Sequence, residues 1–230
     1  MNYVGTELEL FQHAVNWKRY WSAQVAPFVH GNVLDVGCGL GVNAAYVTND
    51  SVTGYTFLEP DGKLLQQVGA HVPLPPTIRQ RLIEGTTDQV KGEHFETLLY
   101  IDVLEHIEDA TAELLRANEL LATGGHLIIV VPAYPFLYSP FDRAIGHYRR
   151  YTERMLDEQM PPSLQKILVR YLDSAGFVLS LGNKLLLRRT SPTRAQIAFW
   201  DRRIVPLSRI TDKVVGHTFG RSMVAVYRKA

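Results

Sequence analysis

The sequence predicts a single α/β domain built on a doubly wound, mostly parallel sheet. Short apolar strands alternate with stretches at helical spacing, and the strand at residues 32–36 runs directly into a glycine-rich turn followed by a helix. The chain has 230 residues, of which 46% are hydrophobic. This length supports one extended core and is too short for two full-sized domains, so we expect residues 1–230 to form one domain.

The elements up to residue 132 predict a helical cap followed by the core of the sheet. Apolar residues at mostly helical spacing predict one or two amphipathic helices between residues 7 and 29, so residues 1–30 form the cap. Within residues 31–132, strands are predicted over 32–36, 52–58, 78–84, 95–101 and 126–131, and helices over 42–48, 61–70 and 110–121. This order predicts a Rossmann-like sheet with helices on both faces.

The pattern changes after residue 132. Residues 133–162 are rich in aromatic and basic side chains and predict an ordered, lid-like insertion after the fifth strand. Residues 163–230 are expected to complete a sheet of seven strands. The predicted elements there are a helix over 163–175, a strand from Phe177 onward, a basic amphipathic helix over 193–210 and a closing strand over 222–227.

Composition and charge narrow the classes of protein. Cys38 is the only cysteine, which excludes intrachain disulfides and cysteine-based metal clusters and favours a reducing compartment. No apolar stretch approaches the roughly 20 residues of a membrane span, and the first residues lack the features of a secretory signal. We therefore expect a soluble, cytoplasmic protein.

The charges are unevenly distributed along the chain. Counting Asp, Glu, Lys and Arg, residues 1–140 carry a net charge of −9 and residues 141–230 a net charge of +10. Either the second half faces an anionic partner, or the two halves pack together and partly neutralise each other. The sequence leaves both interpretations open.

The glycine-rich turn is the sharpest local signal for a ligand site. Gly37, Gly39 and Gly41 follow a buried strand at the start of a helix, where backbone can approach a ligand closely and free N–H groups are available. Dinucleotide enzymes have the spacing Gly-x-Gly-x-x-Gly, whereas this turn has Gly-x-Gly-x-Gly with Asp35 just upstream. A carboxylate beside the loop suits a cationic part of a ligand. The spacing, together with the lack of an obvious Tyr-x-x-x-Lys pair, disfavours a nicotinamide-dependent oxidoreductase.

Glu59 follows the second predicted strand. An acidic side chain in this position can accept hydrogen bonds from both hydroxyls of an adenosine ribose.

Five segments in the same order resemble the class I S-adenosylmethionine-dependent methyltransferases. They cover roughly residues 30–132, and their joint occurrence is far more specific than any one of them. The segments are Val33–Gly41, Phe57–Pro60, Glu84–Asp88, Ile101–Ile107 and Gly124–Ile128. The resemblance implies S-adenosylmethionine as cofactor and S-adenosylhomocysteine as product. It also implies a cofactor site made by Asp35, Gly37, Gly39, Gly41, Glu59, Thr87, Asp88, Asp102 and Val103.

These implied residues have different roles. The glycine loop and Asp35 hold the methionine portion, and Glu59 binds the ribose. Thr87 and Asp88 lie along the adenine, while Asp102 and Val103 close the pocket. The segment around His106 is also similar to the subfamily that methylates small molecules and lipid-like quinones. His106 is thus a candidate general base, although it could equally cap or pack against the following helix.

The segment Tyr138–Tyr151 resembles one in bacterial methyltransferases that occur beside or fused to glycosyltransferases. It leaves the fifth strand at the edge of the cofactor crevice, where a methyl acceptor must sit. Arg149 and Arg150 are candidates to bind a phosphate or carboxylate, and Asp142 or His147 to accept a proton. The tyrosines predicted to line the acceptor site are Tyr134, Tyr138 and Tyr148. The alternative is a structural loop whose arginines pair with the acidic first half.

The predicted reaction is in-line displacement of the methyl group onto an oxygen or nitrogen atom of a small-molecule, glycan or lipid-linked acceptor. No spacing of His or Asp residues predicts a dedicated metal site. The alternative is a non-catalytic, methyltransferase-like binding or scaffold protein.

The basic residues near the end of the chain suggest two other kinds of partner, nucleic acid and a membrane surface. The basic segment Lys184–Lys213 raises nucleic acid as a partner, which its scarcity of aromatic residues disfavours. The helix around Trp200, with Arg202, Arg203 and Arg209, is predicted either to lie on an anionic membrane surface or to pack on the sheet with a solvated basic face. The oligomeric state is not indicated by the sequence.

Overall fold

The described part of the chain folds around one seven-stranded sheet. The computed structural model describes residues 7–68, 74–182 and 193–230. The strands are β1 Gly31–Val36, β2 Val52–Glu59, β3 Arg79–Glu84, β4 Phe95–Ile101, β5 Leu121–Pro132, β6 Leu164–Leu172 and β7 Ser222–Lys229. Their order is β3-β2-β1-β4-β5-β7-β6, and only β7 runs antiparallel to its neighbours. Since the chain reverses its direction of winding between β1 and β4, a crevice opens there at the carboxyl ends of the strands.

Helices cover both faces of this sheet. They are α1 Glu7–Phe11, α2 Val15–Val25, α3 Ala44–Val47, α4 Gly62–Leu65, α5 Ala110–Leu120, α6 Pro140–Ala144, α7 Glu153–Gln159, α8 Ser174–Gly182, α9 Arg194–Phe199 and α10 Val205–Val214. A π-helical turn, Trp200–Ile204, joins α9 to α10. One core cluster packs β1 and β2 against α2 and α10, and the other packs β4 and β5 against α5. The doubly wound fold predicted from the sequence is confirmed. Among the described residues, no helix has the length and apolar character needed to cross a bilayer.

Two predicted elements near residue 170 are wrong. The predicted helix over 163–175 is strand β6, which pairs along its length with β7. Leu164, Leu168 and Tyr171 recur at helical spacing, but β7 offers a free edge whose backbone groups need partners, and this pairing overrides the pattern. The predicted strand from Phe177 is helix α8. Asp173 has a positive φ of 68° that ends β6, and its carboxylate accepts a hydrogen bond from the backbone N–H of Gly176 at 3.0 Å, which caps α8.

Other predicted boundaries shift less. The predicted helix 61–70 corresponds to α4, and its last two residues lie outside the described part, as do residues 184–192 of the predicted basic segment. The predicted helix over 193–210 extends through α9 and α10 to Val214.

Buried carboxylates anchor α10 to the rest of the domain. Asp212 is completely buried and accepts hydrogen bonds from the Tyr20 hydroxyl and from the backbone N–H groups of Asp173 and Ser174, each at 2.8 Å. It therefore joins α2, the end of β6 and the start of α8 at one point. The basic helix is held by this network as well as by its apolar contacts.

We expect Asp212→Ala to lower the free energy of unfolding by about 3 kcal/mol, because three buried donors lose their acceptor. Urea denaturation measures this change. Asp50→Ala, at an exposed position, is the control and should change stability by less than about 0.5 kcal/mol. Equal stability of Asp212→Ala and the native protein would contradict the anchoring role.

Candidate active site

The glycine loop directly follows β1. Gly37, Gly39 and Gly41 have positive φ angles of 63°, 56° and 72°, a region that side chains other than glycine rarely adopt. Space is limited as well, because a Cβ atom on Gly37 would lie 2.9 Å from Cγ2 of Val103, and one on Gly41 would lie 2.8 Å from Cγ1 of Val68. The loop is thus a close-fitting backbone cradle at the β1–β4 reversal, and these contacts require glycine.

Glu59, at the end of β2, is bonded to this loop. Its Oε2 accepts a hydrogen bond from the backbone N–H of Gly39 at 2.9 Å, and its Oε1 accepts one from Asp61 at 3.0 Å. Burial raises the pKa of Glu59, and the two backbone hydrogen bonds oppose this shift. Each carboxylate oxygen can accept a further hydrogen bond. Its predicted binding of a ribose stays a prediction, and its position beside the loop suits that role.

Asp35 is the last residue but one of strand β1, just before the loop. Its side chain is buried, and its Oδ2 accepts a hydrogen bond from the Tyr55 hydroxyl at 2.9 Å. Burial raises the pKa of Asp35 to about 7, the Tyr55 hydrogen bond opposes this shift, and the charge of Glu59 adds to it. A cationic group bound nearby would favour the ionised form of Asp35.

The crevice floor is formed by the residues after β4. Asp102 has a positive φ of 55° and is exposed to solvent, although many protein atoms lie around its carboxyl group. These surroundings raise the pKa of Asp102, while His147, Lys18 and Arg221 lower it. Val103 covers the backbone of Gly37. The structure therefore brings Val103 to the loop, with Asp102 next to it in the chain, and a glycine cradle at the carboxyl ends of the strands fits a nucleoside cofactor.

Thr87 and Asp88 differ in where they point. The side chain of Thr87 is buried, and its hydroxyl donates a hydrogen bond to Oε2 of Glu113 on α5 at 3.2 Å. The hydroxyl of Thr87 is therefore bonded to α5, and its proton is not available for the predicted contact with adenine. Asp88 is exposed, and its predicted contact with adenine stays a prediction.

A second group of predicted residues forms a bonded cluster in the segment after β5. Asp142 is buried and accepts hydrogen bonds from Nε and Nη2 of Arg150 at 2.9 and 3.0 Å and from the Ser139 hydroxyl at 2.6 Å. Its Oδ1 also lies 3.1 Å from Nδ1 of His147. Burial would raise the pKa of Asp142, but the bonds from His147, Arg150 and Ser139 outweigh burial and hold this pKa well below its usual value.

This cluster corrects two predicted roles. Asp142 stays ionised with its oxygens occupied, so it orients His147 and is not itself a proton acceptor. Arg150 directs its guanidinium at Asp142 and at the carbonyl of Ala133, 3.4 Å from Nη1, so it is not a free anion-binding group. Nε2 of His147 is the atom of this cluster that faces the residues after β4, 3.8 Å from Oε1 of Glu105.

His106 contacts His147 edge to face, with ring centroids 4.5 Å apart. Burial, together with the neighbouring His147, lowers the pKa of His106 to about 4, so the ring is neutral near pH 7. It packs in this cluster and does not cap α5, whose N-terminal cap is Asp109.

The predicted tyrosines and Arg149 line the outer part of the segment. Tyr134 stacks on Tyr171 with centroids 5.0 Å apart. The hydroxyl of Tyr138 donates to the carbonyl of His147 at 2.6 Å and so holds the loop, whereas the Tyr148 side chain is 53% exposed. Arg149 donates from Nη2 to the carbonyl of Glu108 and extends over the Tyr148 ring. Their contact with an acceptor stays a prediction.

Sequence reasoning missed several residues that shape the site. Glu105 is completely buried between the crevice and His147. Lys18 on α2 is buried, donates to the carbonyl of Phe11 at 2.6 Å and acts electrostatically on Asp102. Leu8 on α1 lies over Gly39. Their residue types carry no local signal, because each acts through a contact distant in sequence.

Comparisons with known proteins agree with this geometry. Residues 12–179 match the family Methyltransf_23, described as a methyltransferase domain, and the chain belongs to this family. The chain therefore contains a methyltransferase domain with the class I fold, and S-adenosylmethionine is the cofactor that this domain implies. This confirms the resemblance and the cofactor predicted from the sequence.

Two relatives are ubiquinone biosynthesis O-methyltransferases. The protein of Ruegeria sp. (strain TM1040) is 28% identical over 109 residues, which are 44% of this chain and 40% of the relative. That of Dinoroseobacter shibae is 27% identical over 108 residues, 44% of this chain and 41% of the relative. The match thus spans about two fifths of the length of these relatives.

Solved structures share the fold at low sequence identity. The N-methyltransferase NodS from Bradyrhizobium japonicum WM9, in complex with S-adenosylhomocysteine, has a TM-score of 0.62 at 12% identity, with 99% of this chain and 93% of that chain covered. A possible histamine N-methyltransferase from Thermotoga maritima has a TM-score of 0.62 at 14% identity, with 97% and 95% covered. These matches confirm the fold.

We expect S-adenosylmethionine to bind more weakly below pH 7. The predicted partner of Asp35 is the methionine portion of the cofactor, which carries positive charge, and a carboxyl with a pKa of about 7 is largely protonated at pH 6. The dissociation constant measured by calorimetry should therefore rise roughly tenfold between pH 8 and pH 6.

Two variants check the cause of this dependence. Asp35→Asn should bind weakly at both pH values. Tyr55→Phe removes the hydrogen bond that lowers the pKa of Asp35, so the change in affinity should move to higher pH. A dissociation constant of the native protein that is equal at pH 6 and pH 8 would exclude Asp35 as the partner of a cation.

Proposed function

We propose that this methyltransferase acts on an oxygen or nitrogen atom of a small-molecule, glycan or lipid-linked acceptor, with His147 as the general base. The observation that carries the proposal is the contact of 3.1 Å between Nδ1 of His147 and Oδ1 of Asp142. It fixes Nδ1 as the protonated nitrogen and leaves the lone pair of Nε2 for the acceptor side of the crevice.

The chemistry needs little beyond positioning and proton removal. S-adenosylmethionine, when bound, supplies a methyl group activated on a sulfonium. The glycine loop and Glu59 would orient that group, and the segment after β5 would hold the acceptor in line with it. A hydroxyl or protonated amine must also lose a proton, which Nε2 of His147 would accept. The ubiquinone biosynthesis O-methyltransferases among the relatives favour an oxygen acceptor.

Arg149 is the candidate to recognise an anionic part of the acceptor. Unlike Arg150, it contacts a carbonyl and the face of Tyr148 rather than a carboxylate. A phosphate or carboxylate could therefore bind it without first displacing a carboxylate.

We expect His147→Ala to lower kcat about 100-fold or more, because general-base catalysis contributes that much, and to leave the affinity for S-adenosylmethionine unchanged. S-adenosylhomocysteine formation with a panel of hydroxyl and amine acceptors measures the first effect and calorimetry the second. His94→Ala, at an exposed position, is the matched control. Turnover by His147→Ala within twofold of the native rate would eliminate His147 as the base.

We also propose that α10 meets an anionic membrane surface where a lipid-linked acceptor is presented. Leu207, Ile210 and Val214 lie on one side of α10 and are 48%, 65% and 82% exposed. Arg209 and Lys213 are also exposed. They immediately precede Ile210 and Val214 in the chain, so they form a basic stripe beside the apolar one. A helix with an exposed apolar stripe beside a basic one suits the boundary between acyl chains and anionic headgroups.

We expect the protein to bind vesicles containing 30% phosphatidylserine and to lose binding as salt rises from 50 to 500 mM, which co-sedimentation measures. Ile210→Asp should weaken binding severalfold. Leu115→Asp, at a similarly exposed apolar position on α5 (52%), should not. Equal binding to neutral and anionic vesicles would contradict this proposal.

A further inference from the structure

We infer that Glu105, His106 and His147 form a binding site for a divalent transition-metal ion. Glu105 and His106 lie on the turn after β4, and His147 comes from the segment after β5. One ligand atom from each residue lies within 4.8 Å of the others. Among the residues that the structure describes, these three are the one group of His, Cys, Asp or Glu side chains that lie close enough together to hold a metal ion.

The carboxylate of Glu105 is the strongest indication of a ligand. Its side chain is completely buried, and neither carboxylate oxygen has a hydrogen-bond partner among the described residues. A buried carboxylate without a donor is costly, and natural structures normally pair it or bind it to a metal. Nε2 of His147, 3.8 Å from Oε1 of Glu105, is too far away for a hydrogen bond. An ion between these two atoms would satisfy both.

The surrounding hydrogen bonds orient His147 as a metal ligand. Metal-binding histidines usually donate their second ring N–H to a carboxylate, which fixes the tautomer and the ring plane. Asp142 lies 3.1 Å from Nδ1 of His147 and is itself fixed by Arg150 and Ser139. The remaining nitrogen, Nε2, is directed at Glu105. Asp142 thus orients the ring of His147 as a carboxylate orients a metal-binding histidine, and Nε2 is the nitrogen that would bind the ion.

The donor set defines the class of ion. Two imidazole nitrogens and one carboxylate suit Zn²⁺, Mn²⁺, Fe²⁺ or Co²⁺, whereas Ca²⁺ and Mg²⁺ prefer oxygen ligands alone. Three protein ligands leave at least one coordination position open, as in catalytic metal sites. Sequence analysis predicted no metal site because the two ligand segments are 41 residues apart (106 to 147).

The position of the site suggests its use, which rests on the proposed methyl transfer to an oxygen acceptor and replaces His147 as the base. Val103, two residues before Glu105, touches the glycine loop, so the site lies near the loop that is predicted to hold the methyl donor. An ion there would lower the pKa of an acceptor hydroxyl that contacts it. The hydroxyl proton would pass to water beside Asp102, the new bond would join oxygen to the methyl carbon, and the carbon–sulfur bond would break with its electron pair left on sulfur. Nε2 of His147 would then hold the ion instead of accepting the proton.

Metal binding can be measured independently of methyl transfer. Protein treated with EDTA and dialysed is titrated with Zn²⁺ by calorimetry and with Co²⁺ by visible absorption. We expect one ion per chain and a Tm higher by about 5–10 °C at 100 times the dissociation constant. Glu105→Gln and His147→Asn should each weaken binding at least 100-fold. His126→Asn is the control, since His126 lies next to His30 and also has a buried Nδ1 without a partner.

The outcomes separate the metal site from the proposed function. Absence of saturable binding to the native protein, or equal affinity in Glu105→Gln and His147→Asn, overturns the site. Calorimetry with S-adenosylmethionine on the same preparations shows whether each variant is folded, and metal binding without cofactor binding would overturn the proposed function alone. EDTA should lower turnover, and Zn²⁺ or Mn²⁺ should restore it. Inhibition by added metal would overturn the catalytic use and support His147 as the base.

Discussion

The carboxylate of Asp142 is the interaction on which the acceptor side of the site depends. It binds the first residue of its own turn, Ser139, together with His147 and Arg150, which lie five and eight residues further along. One buried charge thus closes the whole segment after β5 into a compact loop. A backbone bridge between Ala133 and Tyr151 fixes the base of this loop to the sheet. Without Asp142, Ser139, His147 and Arg150 would all lose the acceptor that holds them together.

The described ion pairs bear on the two interpretations of the charge asymmetry. The ion pairs that the structure describes for Lys or Arg lie within each half, as between Arg81 and Glu93 or between Arg150 and Asp142. The contact across the halves is that of His147 with Glu105. The described ion pairs of Lys and Arg therefore do not neutralise the charge of one half of the chain with that of the other. Arg221 and His147 of the second half do act electrostatically on Asp102 of the first half, so compensation across the halves takes place on the acceptor side of the site.

The sequence alone predicts those parts of the site whose residues lie close together in the chain. The glycine loop, Asp35 and Glu59 are adjacent to strand ends, so periodicity and spacing place them correctly. The exchange of β6 and α8 could not be foreseen, because it depends on the free edge of β7, about 50 residues later in the chain. Asp142 and Arg150 were identified as functional residues, but their bond to each other removes the roles predicted for them. Residue type shows what a side chain can do, and only the fold shows which of its partners is present.

Asp142 and Glu105 differ in how their carboxyl groups are satisfied. Both carboxylates are buried and both face His147, yet Asp142 has donors on both oxygens whereas Glu105 has none among the described residues. A core built only for stability would gain by replacing Glu105 with an apolar residue of similar volume. Glu105 is instead held next to the crevice by the bond between its own carbonyl and the backbone N–H of Tyr148, at 2.8 Å. Burial raises the pKa of Glu105 well above its usual value, so the structure keeps a carboxyl group without a partner at the point where the acceptor loop meets the cofactor strand. A cation that enters the site would favour the ionised form of this carboxyl, which makes binding, rather than folding, the reason for its position.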